Sequence, residues 1–134
     1  MKMLLALLFA VLLPLAATAQ GLTEAGKIEA LIASVERLPG AVFIRNGSEH
    51  DARQAAEHLR KKWKYAGKRV KTAEDFISCC ASASSMSGTK YRIRFADGHS
   101  VYAQDYFREQ LRRIEASVKP KPQRAGAGLS HIPI

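Results

Sequence analysis

The side chains best equipped for chemistry fall into two groups. The first is polar and mixed: Arg45, Asn46, Glu49, His50 and His58, with the hydroxyl run from Ser82 to Ser87 that includes Ser84 and Ser85. A serine hydroxyl beside an imidazole is the smallest unit that can attack a carbonyl, because the imidazole takes the hydroxyl proton. A small serine-dependent hydrolase using a Ser82–Ser87 hydroxyl with His50 or His58 is therefore one reading of the chain. It needs the two groups within about 3 Å of each other in a cleft. The sequence defines neither an acid to orient the imidazole nor an oxyanion hole. Ser87-Gly88-Thr89-Lys90 matches the S-x-x-K pattern of β-lactam-binding enzymes, but S-D-N and K-T-G are absent and the chain is too short for that fold. The plainer reading has these polar groups satisfying nearby backbone, as such residues do around turns and helix starts. In that reading His58, next to Leu59, is a half-buried packing histidine.

Metal chemistry finds little support. With His50 in the first turn of a helix that also carries His58, the two rings stand about 12 Å apart along the axis, too far to share one ion. Cys79 and Cys80 are neighbours, and adjacent helical side chains diverge by about 100°. Zinc sites favour cysteines two to four residues apart. No metal and no cofactor is expected. Cys80 is expected in the core and Cys79 on a flank, where it is a hazard for intermolecular disulfides.

The second group is cationic. Arg60, Lys61, Lys62, Lys64, Lys68, Arg69 and Lys71 follow one another without an acid, with Trp63 and Tyr65 between them. If four of these charges approach an anionic surface at about 1 kcal/mol each, the total is about 4 kcal/mol, a millimolar attraction that salt screens. The competing reading is a solvated helix end whose cations suit the negative pole of the dipole. Stacking of Trp63 or Tyr65 on nucleic-acid bases is disfavoured, because Trp63 lies on the apolar face and is expected to be buried.

The elements that must position these groups can be read from periodicity. Ile28, Leu31, Ile32, Val35 and Leu38 make one face of a helix over 24–38, capped by Thr23 and stopped by Pro39-Gly40. Ala41 to Ile44 is short, apolar and partly β-branched, and precedes Asn46-Gly47: a buried strand over 41–45 and a tight turn. Ser48 with Asp51 is a helix start signal, giving a helix over 48–66 with an apolar line from Ala52 through Ala55, Ala56 and Leu59 to Trp63. Thr72 with Asp75 repeats the signal for a helix over 72–83, fraying in the serine run. Tyr91 to Phe95 alternates apolar and basic, a strand with one wet face. Asp97-Gly98 marks a hairpin to a returning strand at 99–102. Phe107, Leu111, Ile114 and Val118 line a last helix over 104–117. The fold class is α+β: four helices packed on a small antiparallel sheet of two to three strands.

Both ends differ from this pattern. Lys2, the apolar run Leu4–Leu13 and Ala17-Thr18-Ala19 form the three parts of a cleavable signal peptide over 1–19. The run is shorter than the roughly 20 apolar residues needed to span a bilayer. Removing it from the 134-residue chain leaves 115 residues, one domain's worth, and lowers the formal charge from +9 to +8. Residues 20–118 are expected to form a single α+β domain. The Lys-Pro-Lys-Pro and Ala-Gly-Ala-Gly composition of 119–134 suits a disordered tail. A basic exported protein is biased towards anionic partners.

Several segments taken together resemble an exported bacterial family of unknown function, the YfeK-like proteins. The resemblance covers roughly 23–115. It is carried by Phe43-Ile44-Arg45-Asn46-Gly47, Glu49-His50, His58-Leu59-Arg60, Thr72-Ala73-Glu74 with Phe76-Ile77, and Ala81-Ser82 through Ser84-Ser85 to Gly88 and Tyr91. The family's last motif usually reads Ser-Gly-Lys-Pro-Tyr, whereas Ser87-Gly88-Thr89-Lys90-Tyr91 here lacks the proline. The resemblance implies export and one α+β domain, and it implies no activity.

The expectation is thus a periplasmic or secreted, non-catalytic binding module, with the hydrolase as its alternative. Its partner is an anionic envelope component or another envelope protein. The candidate binding residues are Arg45, Asn46, His50, His58, Ser84, Ser85 and Ser87, with Arg60, Lys61, Lys64, Lys68 and Arg69 on the basic stretch.

Overall fold

A computed structural model describes residues 21–119. The expected signal segment and, apart from Lys119, the expected tail lie outside the described residues. Helix α1 spans Glu24–Glu36, with the Thr23 hydroxyl accepting the Gly26 N–H. Its Ile28, Leu31, Ile32 and Val35 are buried, as their spacing requires. A hairpin of β1 (Val42–Arg45) and β2 (Ser48–His50) follows, then α2 (Ala52–Ala66) and a short 3-10 turn, Gly67–Arg69. Next come α3 (Ala73–Phe76), a π-helical turn (Ile77–Ala81), β3 (Arg92–Arg94), β4 (Ser100–Tyr102) and α4 (Ala103–Val118). The architecture is α+β, and the antiparallel sheet has four strands in the order β2-β1-β3-β4.

The additional strand corrects the expected start of the second helix. Asn46 and Gly47 both have positive φ, 50° and 77°. That is the demand of a two-residue primed turn, whose twist suits a hairpin. Arg45 accordingly pairs with Ser48, and β2 runs back along β1. The helix begins after Asp51, not at Ser48. Asp51 accepts from the Gln54 N–H while the Gln54 side chain accepts from the Asp51 N–H, a complete capping box. His50 is therefore a strand residue, and the helical separation assigned to the two histidines does not apply.

Register decides which side chains face the helices. His50, Phe43, Ile93 and Val101 are cross-strand partners in one row, so they share a sheet face. Phe43 and Ile93 are buried, which identifies this face as the core side. Arg45, two residues beyond Phe43, lies on the same face by the strand period. Glu49, Arg92 and Tyr102 occupy the opposite, exposed face, the wet side that the alternation at 91–95 implies. On the helical side Trp63 is half-buried rather than enclosed. It meets Phe76 edge-on at 6.1 Å, and Phe76 meets Phe107 in the same way at 6.4 Å.

The third helix is shorter than its start signal suggests. Thr72 and Asp75 do form a capping box. After one turn, however, the helix widens into the π turn, and the Ser82 hydroxyl donates to the Ile77 carbonyl at 2.6 Å. The following serine run is not a frayed end. Ser84 N–H bonds the Thr89 carbonyl and Gly88 N–H the Ser84 carbonyl, each at 2.9 Å, and Tyr91 N–H bonds the Ser82 carbonyl at 3.0 Å. This closed loop fixes one wall of the site described below.

Candidate functional site

His58 sits where α2 crosses the end of β1. Arg45 Nη1 lies 2.5 Å from its Nδ1 and 3.0 Å from its Nε2. A guanidinium can only donate, so it requires an unprotonated ring nitrogen. The Tyr91 hydroxyl is 3.4 Å from Nε2 and accepts from Lys62 Nζ at 3.0 Å. Lys62 also donates to the Ala83 carbonyl at 3.0 Å and stands 5.0 Å from the centre of the Tyr91 ring. Burial, followed by the Arg45 and Lys62 charges, pushes the His58 pKa down to about 4. His58 is therefore neutral at physiological pH, in the middle of a cationic cluster.

Helical spacing assembles that cluster. His58, Lys61, Lys62 and Tyr65 recur at i, i+3, i+4 and i+7 and so share one stripe of α2. The stripe forms one side of a groove of about 620 Å³. Arg45 and Asn46 from the hairpin, Ser84 and Ser85 from the serine loop, and Arg69 from the 3-10 turn complete it. Among the described residues no carboxylate lines it. Arg45, Lys61, Lys62 and Arg69 also have no carboxylate within ion-pair distance among the described residues, whereas Arg60 pairs with Glu36, Arg94 with Glu49 and Arg108 with Glu74. Cations without counter-charges, gathered around a concavity, give a field that favours anions.

Asn46 joins the hairpin to the serine loop. Its Nδ2 donates to Ser84 Oγ at 3.2 Å, and its Oδ1 accepts from Ser87 Oγ at 2.7 Å. The Met86 and Ser87 N–H groups also donate to Ser84 Oγ, at 3.3 and 3.4 Å. The serines thus serve the loop that carries them. No serine hydroxyl bonds an imidazole among the described hydrogen bonds, and His58 is engaged with Arg45 and Tyr91 instead. The pair that the hydrolase reading requires is not assembled.

A second, smaller cavity of about 230 Å³ lies between α2 and the core face of the sheet. Phe43, Leu59, Ala103 and Phe107 contribute apolar walls, and His50 also lines it. His50 Nε2 is buried without a hydrogen-bond partner among the described residues. Arg45, His58, Lys61 and Tyr91 border both cavities.

The basic stretch is split by the helix. Lys61 and Arg69 face the groove, together with Lys62, which was not singled out as a site residue from the sequence. Arg60 and Lys64 border a different surface beside Glu29 and Trp63, and Lys68 is exposed and lines neither cavity. Tyr91 was also missed, because it reads as a strand residue. The signal available for Lys62 was its place four residues after His58. Cys79 and Cys80 are free thiols on the groove wall, the first exposed and the second buried. Burial and then the neighbouring Cys79 push the Cys80 thiol up to about 12. Among the described residues no three His, Cys, Asp or Glu side chains come together as a metal site would require.

An α+β fold with a cationic groove is the class defined by these features. Residues 22–115 match the family of unknown function DUF5329, and the chain belongs to that family. It is also similar to the uncharacterized protein YfeK of Salmonella typhimurium (strain LT2), with 36% identity over 92 residues that cover 68% of this chain and 77% of YfeK. No solved structure matches. No helix among the described residues is long and apolar enough to cross a membrane.

Proposed function

We propose that this protein is an exported, non-catalytic binding module whose groove takes an anionic group of an envelope component. The observation that carries this reading is the convergence of Arg45, Lys61, Lys62 and Arg69 on one concavity with no carboxylate in its lining among the described residues. The neutral state of His58 supports it, since burial and the surrounding cations already disfavour another positive charge there. An entering anion relieves this repulsion, which is the physical source of affinity. Asn46, Ser84 and Ser85 line the same groove and add polar groups beside the charges. Export rests on the Lys2, Leu4–Leu13 and Ala17–Ala19 pattern.

Titration with inorganic phosphate at low salt, followed by amide chemical shifts, tests the reading. Shifts centred on Arg45, Lys61, Lys62 and the serine loop are expected, with millimolar affinity that falls as salt rises. Arg45→Gln combined with Lys62→Gln should weaken binding at least tenfold. Arg60→Gln combined with Lys64→Gln, on the other surface, should change it less than twofold. Equal losses from both pairs would reduce the effect to bulk charge and end the proposal.

A further inference from the structure

The smaller cavity shares Arg45, His58, Lys61 and Tyr91 with the cationic groove and has a different chemistry. Its apolar walls come from the sheet, α2 and α4, through Phe43, Leu59, Ala103 and Phe107. Its volume, about 230 Å³, exceeds the roughly 150 Å³ of an apolar cavity that admits benzene. Arg45 and Lys61 border this apolar space and the groove alike. Arg92 borders the cavity too, and the one carboxylate in its described lining, Glu57, is exposed and paired with Arg53 at 3.6 Å. An apolar chamber whose bordering cations outnumber its carboxylate fits one kind of molecule better than a bare anion or a bare hydrocarbon. We infer that the ligand is a small amphiphilic anion, with a single ring or short acyl chain in the apolar cavity and its anionic head at Arg45 and Lys61.

This inference rests on the anion-binding reading above and adds the apolar half of the ligand. Two further features support it. The His50 ring belongs to the core-facing row of the sheet and lines the same cavity, and its buried Nε2 lacks a partner among the described residues. A polar atom near the ligand head would supply one. The size of the cavity also suits a short apolar group, since buried Phe43 on the sheet, Leu59 on α2 and Phe107 on α4 line a volume of about 230 Å³. A volume of that size holds a single ring or a few carbons.

The test compares straight-chain carboxylates from acetate to octanoate with hexanamide and inorganic phosphate, measured by calorimetry on the native protein. Each added methylene should tighten binding about fourfold until the cavity is full, after which the gain stops. Hexanamide should bind at least tenfold more weakly than hexanoate. Ala55→Leu, which places bulk on the cavity wall contributed by α2, should flatten the length dependence and leave phosphate binding within twofold of native. If hexanoate binds no better than acetate while phosphate still binds, the amphiphile is excluded and the anion site stands. If hexanamide equals hexanoate, the assigned head position is wrong and the inference falls. If neither phosphate nor any carboxylate binds, both proposals fall together.

Discussion

His58 shows how much of the site is set by a single side chain and its neighbours. Arg45 and Lys62 surround it, and its pKa is pushed down to about 4, from about 6.5 in an unfolded chain. Between those two values the unfolded chain holds the extra proton, so stability rises with pH across this window and is lost as pH falls through it. A displacement of this size is worth at most about 3 kcal/mol, and solvent screening at a half-buried site trims the expected loss to about 1–2 kcal/mol. Urea unfolding at pH 7, 5.5 and 4 should show that decline, and His58→Gln should remove most of it. An unchanged slope in the variant would mean that other groups dominate. Asn46 is a second case: it combines a positive φ with two side-chain bonds into the serine loop. Asn46→Ala loses both bonds while keeping the strained backbone, and should cost about 1–3 kcal/mol by thermal unfolding.

At the level of elements, regular periodicity could be read from the sequence and local competition could not. The apolar faces of α1 and α4, the turn at Asp97-Gly98 and the capping box at Thr72 all follow from spacing and residue type. The start of α2 did not, because two signals overlap. Ser48 with Asp51 reads as a cap, and Asn46-Gly47 reads as a hairpin turn. The hairpin prevails because Asp51 with Gln54 offers a better box three residues later, leaving Ser48–His50 free to pair with β1. The same overlap hid the position of His50, and with it the contribution of β2 to the smaller cavity. The π turn after Phe76 was equally hidden, since it depends on Ser82 reaching the Ile77 carbonyl. The competition can be measured. Asp51→Ala should destabilise the protein by about 1 kcal/mol, while Ser48→Ala should stay within about 0.5 kcal/mol. The reverse order would return the helix start to Ser48.

On the scale of the whole molecule, charge is sorted by face. Carboxylates pair with Lys27 of α1, Arg113 of α4 and Arg60 on the outer side of α2, whereas Arg45, Lys61, Lys62 and Arg69 around the groove are unpaired among the described residues. The basic run at 60–71 was visible in the sequence, but its division was not, because adjacent residues on a helix point to different surfaces. Arg45 joins the cluster only through the sheet register, which brings a residue thirteen positions away against His58. The most direct check on the anion-binding claim is the His58 imidazole titration followed by NMR, with chloride and then with sulfate at matched ionic strength. Sulfate keeps its charge across the pH range involved. The account predicts a midpoint near 4 in chloride that moves upward in sulfate as the bound anion offsets Arg45 and Lys62. A midpoint that sulfate leaves in place, or one near 6.5 in chloride, would contradict it.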